Sequence, residues 1–409
     1  PPLPAAAFPA ASPKSLRLSA QSARELAEPA TLLAFQKWLD RHGCYVFTIN
    51  GFPYGRFHGG RVKEQVFAPD WTTRERLDYT NLLFDMLAQL VPPGVEGSVS
   101  TLPGSFKDFI FPRGCGASSQ MSGRGASPLA AIRQNLWACV EHIARVSERT
   151  GRTLHLGVEP EPLGLFENTA ETVAFFTALR DEHPNDPRMN AHLGVNYDAC
   201  HFALQYESAR TAIEQFRRHD IKLSKLHLSS ALKVRATPEV RAALHAFLDD
   251  VYLHQVIARD ANGTLTRYKD LPLALAAVAS GILPDVEGGI LPPGKTSALH
   301  EAALESTAPG NSTSTPPGWK PGSTAAKDGC RYDEWRIHFH IPLHSPDTAL
   351  FDNTTDHLTE LLDVLAENPK LCSHLEFETY TWEVLPPELK NKSVVTQLVR
   401  EYEWCLKEL

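Results

Sequence analysis

Carboxylates and imidazoles gather in five short stretches of this 409-residue chain. They are Glu159 and Glu161 in "LHLGVEPEPLGLFEN", Asp198 and His201 in "YDACH", His227 in "IKLSKLHLSSAL", His338 and His340 in "WRIHFHIPL", and Glu376 and Glu378 in "HLEFETYTWEVLP". Each set lies near the C-terminal end of a run that reads as a β-strand. Such groups are costly to bury alone, and any one of them is ordinarily a hydrogen-bonded structural residue or a solvated loop residue. Five strand ends carrying them point instead to a shared site. A mixture of carboxylate and imidazole suits a hard or borderline divalent ion, Mn2+, Zn2+, Co2+ or Mg2+. Residues two apart on a strand share a face, so Glu159 with Glu161, His338 with His340 and Glu376 with Glu378 are expected as pairs, one member binding metal while the other supports it. His58, in "GRFHGG", is a further candidate ligand.

Strand ends meet only if the strands are parallel. Apolar β-rich runs alternate here with amphipathic helical stretches, the signature of a parallel sheet, in which all C-terminal ends open on one face. Strands are expected at 15–20, 44–55, 97–105, 153–162, 192–201, 221–232, 251–259, 335–343 and 374–386. That is one more than a (β/α)8 barrel needs. The excess is assigned to "VYLHQVIAR" (251–259), because it sits beside a stretch, about 282–333, rich in Pro, Gly, Ser and Thr. The predicted fold is therefore an α/β (β/α)8 TIM barrel over residues 15–409, with a long flexible Pro/Gly/Ser-rich insertion before the seventh barrel strand. The Pro/Ala-rich residues 1–14 are expected to be disordered.

With 43% hydrophobic and 22% charged residues the chain has an ordinary globular composition. A formal charge of −8 argues against nucleic acid as a partner and leaves a small polar metabolite. The seven cysteines are scattered without a C-x-x-C pair, which suggests neither a disulfide framework nor a zinc knuckle. No apolar run approaches the roughly 20 residues of a membrane span, and the opening residues lack the pattern of a signal peptide. A cytoplasmic location is expected.

The candidate residues, in their order, resemble those of the xylose-isomerase-like TIM barrels: sugar-phosphate isomerases and epimerases, inosose dehydratases and the related family 2 apurinic endonucleases. The epimerase branch holds its metal by Glu, Asp, His and Glu on strands four, five, six and eight. Counting "SLRLSA" as strand one, the resemblance implies Glu161, Asp198, His227 and Glu378 as ligands. It also implies substrate contacts at Glu167, His201 and Lys233, with Arg235 close by. Lys233 stands where the branch carries Arg, and an ammonium does not make the same two-pronged contact. More narrowly, "YVFTINGFPYGRFHGGRVKE", "PDWTTRERLDYT", "GVEPEP", "YDACH", "HFHIPL" and "LEFETYTWEVLP" are similar to the metabolite-traffic family EboE, over most of residues 15–405. Members of that family begin with a further strand and an Asn/His-bearing segment, so the resemblance implies a truncated start here.

The activity implied is that of a divalent-metal-dependent isomerase or epimerase of a sugar, sugar phosphate or cyclitol, working in metabolite biosynthesis or traffic. The metal would stabilise an enediolate, while Glu161 and Glu378 move the proton next to the carbonyl. Two alternatives accompany it. One is a metal-dependent phosphoester hydrolase or dehydratase, for which His201, His338, His340 and His58 would complete further metal sites. The other is a carrier or scaffold that binds a metabolite without turnover.

Overall fold

The computed structural model describes residues 12–55, 63–111, 127–280 apart from 249, 330, 332–379 apart from 346, 347 and 349, and 393–409. The first half of the chain lays down parallel strands in order: β1 (Ser12–Arg17), β2 (Cys44–Asn50), β3 (Gly97–Thr101), β4 (Leu154–Val158), β5 (Leu193–Asp198) and β6 (Lys222–Leu228). The chain then leaves this sheet. Strands β7 (Leu232–Val234), β8 (Val256–Asp260), β9 (Leu265–Tyr268), β10 (Tyr332–Ile337) and β11 (Asp352–Asn353) form a second, antiparallel sheet in the order β11-β7-β10-β8-β9. Finally β12 (Leu375–Phe377) returns to pair in parallel with β6. The first sheet thus has seven parallel strands and is nearly closed. Its edge strands β1 and β12 face each other across a seam bridged by Ser15 to Glu376 and by Arg17 to Glu378.

Alternation along these strands separates two environments. Val99, Leu156, Val195 and Leu226 point outward into the apolar layer shared with the surrounding helices. The long helices that supply this layer have clear end signals. Thr73 caps Arg74–Leu90 through its side chain, and Ser127 caps Pro128–Thr150, which ends at Gly151 with φ 67°. The inward residues are polar and bond across the sheet: Thr48 to Ser98 at 2.8 Å, Ser98 to His374 at 2.7 Å, His155 to Ser224 at 2.7 Å and Lys225 to Ser100 at 3.0 Å.

Two local features set the aim of the site. The β5/β6 register passes from Val195↔Leu223 to Asn196↔Lys225, so Ser224 is an extra residue on β6. Such a bulge flips the alternation: Ser224 and Lys225 both turn inward, and His227 follows. Gly194 permits the close approach of these strands, since a Cβ there would lie 2.4 Å from the Lys222 carbonyl oxygen.

The architecture differs from the predicted eight-stranded barrel in one main respect. The expected seventh barrel strand, "WRIHFHIPL", is β10, antiparallel to β7 and β8 in the second sheet. An apolar β-rich run has the same pattern in either setting, so periodicity alone does not distinguish them. The "VYLHQVIAR" run supplies β8 of that second sheet. Strand β1 starts at Ser12, inside the segment expected to be disordered; residues 1–11, and the expected insertion apart from 330, 332 and 333, lie outside the described residues. Among the described residues no helix is long and apolar enough to cross a membrane.

Candidate metal centre and active site

Asp198 is the last residue of β5 and the N-cap of the next helix, Ala199–Leu204. Its Oδ1 accepts from the His201 amide at 3.2 Å and the Ser229 hydroxyl at 2.7 Å, which leaves Oδ2 facing His227 Nδ1 at 3.2 Å. His227 lies opposite it in register. Glu159 extends β4 by one residue, its amide donating to the Thr101 carbonyl at 2.9 Å, and so keeps the inward parity of His155 and Gly157. Asn196 Nδ2 donates to Glu159 Oε2 at 2.8 Å, and Glu159 Oε1 is 3.3 Å from His227 Nδ1. Glu378 follows β12, where its amide still pairs with Leu228. Its Oε1 meets Arg17; its buried Oε2 lies against His227 Nδ1 yet has no hydrogen-bond partner.

Glu159, Asp198 and His227 are buried and the Glu378 side chain is only 10% exposed, and each offers a ligand atom within 4.8 Å of the others. Three carboxylates around one imidazole call for a cation. The orphaned Glu378 oxygen and the mixed oxygen/nitrogen donor set both fit a divalent metal. The electrostatics say the same. Burial would push the His227 pKa down, but the Glu378 and Glu159 carboxylates hold it well above the ordinary imidazole value. Burial would raise Glu378, yet His227 and Arg17 keep it well below the usual carboxylate range. A proton on His227 balances the cluster where a metal would displace it.

One step further out, three imidazoles converge. His201 Nδ1 donates to the Pro160 carbonyl at 2.9 Å, His338 Nδ1 meets Gln255 Oε1 at 2.7 Å, and His340 Nδ1 donates to the Glu378 carbonyl at 2.7 Å. Their Nε2 atoms face one another, His338 being 3.0 Å from His201 and 3.1 Å from His340. Glu161 joins this group, with Oε2 3.3 Å from His201 Nε2 and Oε1 3.5 Å from His338 Nδ1. Burial raises the Glu161 pKa to about 8, with His201 opposing it. Burial lowers His201, but Asp198 and Glu161 outweigh it and carry it to about 9. Further three-residue sets have metal-ligand spacing: Glu161, His201 and His338; Asp198, His201 and His340; and Cys200, His338 and His340. Cys200 enters from the first turn of the helix that Asp198 caps.

Several expected site residues lie elsewhere. Glu161 stands outside the set that contains Asp198, His227 and Glu378, in which Glu159 is grouped instead, and falls with His201 and His338. Glu167 is held in a loop by Lys107 Nζ at 2.6 Å, the Leu163 amide at 2.9 Å and Arg267 at 3.3 Å, away from the pocket. Lys233, on β7, pairs with Asp352 at 3.2 Å and Asp356 at 3.6 Å, and Arg235 is exposed just past it. Neither belongs to the pocket lining. Glu376 sits below Glu378, 2.6 Å from Lys225 Nζ and 3.3 Å from His227 Nε2, where it steadies the ring. His58 lies outside the described residues.

The pocket above the cluster is lined by Glu159, Glu161, His201, His338, His340 and Glu378, together with Arg17, Asn50, Lys63 and Gln255. Those last four escape a search keyed to acids and histidines. Arg17 and Asn50 carry the same signal as the others, a polar residue at the C-terminal end of a strand. Lys63 comes from a 3-10 helix, Lys63–Phe67, and bonds Asp270 at 2.6 Å.

No protein-family profile matches the chain, and no curated protein matches it. Among solved structures it is similar to 3-keto-D-glucoside 4-epimerase from E. coli, at 16% identity and a TM-score of 0.30, over 52% of this chain and 66% of that one. A protein named IOLI with a bound zinc atom matches at 12% identity and a TM-score of 0.30, over 51% of this chain and 60% of the other. A D-tagatose 3-epimerase-like protein matches at 14% identity and a TM-score of 0.32, over 52% and 66%. In each of these three the matched stretch spans less than two thirds of the known chain.

Proposed function

We propose that this protein is a divalent-metal-dependent enzyme that moves a proton next to the carbonyl of a small polyhydroxy substrate, a sugar, sugar phosphate or cyclitol, as an isomerase or epimerase of the kind the resemblance to xylose-isomerase-like barrels implies. One observation carries the proposal: Glu159, Asp198, His227 and Glu378, from four different strand ends, converge as donors beside one pocket. A metal bound there supplies Lewis-acid stabilisation of the negative charge that develops on substrate oxygens. The remaining work falls to the chain. Glu161, at the pocket rim above the four ligands, is placed to give and take the proton, and Gln255 Nε2 at 3.4 Å orients its carboxyl. Burial keeps Glu161 in reach of both protonation states near neutral pH. Glu378, ionised beside Arg17 and His227, is the second carboxylate facing the pocket. Asn50 and Gln255 line the pocket beside His201 and would orient substrate with it, the role the resemblance implies for His201, Glu167, Lys233 and Arg235.

A second reading rests on Asp198, which belongs both to the four-residue set and to the set with His201 and His340. A carboxylate shared between neighbouring sites is what a multi-metal phosphoester hydrolase uses. One experiment addresses both. The protein, reconstituted with Mn2+, Zn2+ or Co2+, is incubated in D2O with a panel of ketoses, ketose phosphates and inososes. Metal-dependent incorporation of solvent deuterium into one carbon-bound position is the expected result. Release of inorganic phosphate without exchange would transfer the assignment to hydrolysis, and ligand binding without either reaction would make the protein a carrier.

A further inference from the structure

At the opposite ends of the same strands lies another group of donors. Glu96 precedes β3, His155 is the second residue of β4 and His374 precedes β12. One ligand atom from each lies within 4.8 Å of the others. His155 is 1% exposed, and its Nδ1 is engaged by Ser224 Oγ at 2.7 Å. Its Nε2 is buried, has no hydrogen-bond partner, and lies 3.3 Å from Glu96 Oε2. His374 Nδ1 meets Ser98 Oγ at 2.7 Å and its Nε2 meets the Glu96 carbonyl at 3.1 Å, so a metal on this ring takes the place of one of these contacts. The two rings are 5.1 Å apart.

We propose that Glu96, His155 and His374 form a second divalent-cation site, of Zn2+ type, that cross-links the N-terminal ends of strands on opposite sides of the sheet. Two imidazoles and a carboxylate are a set zinc accepts, with a further position left for water. A ligating imidazole has its far nitrogen held by a hydrogen-bond partner, and the Ser224 hydroxyl stands in that place for His155. Glu96 is half-exposed, which opens the site to solvent. The competing cation is Lys222, whose Nζ is 3.6 Å from the same Glu96 oxygen. The site is separate from the proposed metal centre: His155 and Glu159 are four residues apart on extended chain, roughly 13 Å. It does not depend on the proposed activity.

The test is zinc stoichiometry. Full-length protein stripped with chelator is loaded with Zn2+, desalted and measured by inductively coupled plasma mass spectrometry. Glu96→Gln should hold about one equivalent less than wild type, and the same decrement should appear on an Asp198→Ala background. Zn2+ should raise the Tm of Asp198→Ala by a few degrees and leave Asp198→Ala/Glu96→Gln unmoved. His155→Gln should repeat the loss, and because Glu96 is half-exposed its variant keeps the test valid if the buried histidine variant unfolds. Equal zinc content in wild type and Glu96→Gln would overturn the proposal and leave Lys222 as the counter-ion. A decrement in Glu96→Gln with no zinc lost in Asp198→Ala would uphold this site while removing the one above.

Discussion

Glu161→Gln should slow solvent-exchange turnover about 10²–10⁴-fold while metal content and ligand affinity stay at the wild-type level. The amide keeps the shape of the side chain and its contacts with Gln255 and His201, 3.4 Å and 3.3 Å away, so orientation in the pocket is preserved. What it removes is the carboxylate that can take up and return a proton. The four residues grouped for the metal do not include Glu161, which is why binding and turnover should separate. Initial rates of deuterium incorporation, measured beside the metal content of the same preparation, give both quantities. Loss of metal together with activity would instead make Glu161 a ligand, and unchanged turnover would take it out of the chemistry.

Lys225→Met should cost about 3–5 kcal/mol of stability, the usual result of removing one partner of a buried ion pair. Lys225 is fully buried on β6; its Nζ donates to Glu376 at 2.6 Å and to Ser100 at 3.0 Å. Burial would raise the Glu376 pKa, but Lys225 and His227 hold it far below the ordinary carboxylate value. The sign follows from that depression. The pair stabilises the fold at pH values above the unfolded carboxylate's pKa, and the contribution fades as pH falls through the folded one. Urea denaturation at pH 7 should therefore show the full loss, and Lys225→Met/Glu376→Gln should recover part of it, since no uncompensated charge then remains. A change under about 1 kcal/mol in the single variant would mean that the pair is open to water.

Much of this was legible from residue order alone. Polar residues at the C-terminal ends of β4, β5, β6 and β12 do converge, because parallel strands all open on one face. That Glu159 rather than Glu161 is grouped with Asp198, His227 and Glu378 was not legible, because both sit at odd positions of the same run. The bulge at Ser224 leaves no compositional trace, yet it decides that Lys225 and His227 point inward. Strand β10 reads as a barrel strand because its apolar pattern is the same in either sheet, while its partners are set by tertiary pairing. His338 and His340 still reach the pocket, since the chain leaves β10 toward the mouth of the parallel sheet. Lys233 and Arg235 follow the sequence spacing of a substrate contact, but the chain has by then entered the second sheet, and β7 carries them off.

The most direct test of the metal centre is the metal content of purified protein beside Asp198→Ala and His227→Ala, read by inductively coupled plasma mass spectrometry after loading with Mn2+, Zn2+ or Co2+. With Glu96→Gln as the common background, the wild-type upper site should retain about one equivalent or more, and each substitution should abolish it. Retention of the same metal in both variants, or none in the parent after reconstitution, would contradict a metal centre built on Glu159, Asp198, His227 and Glu378.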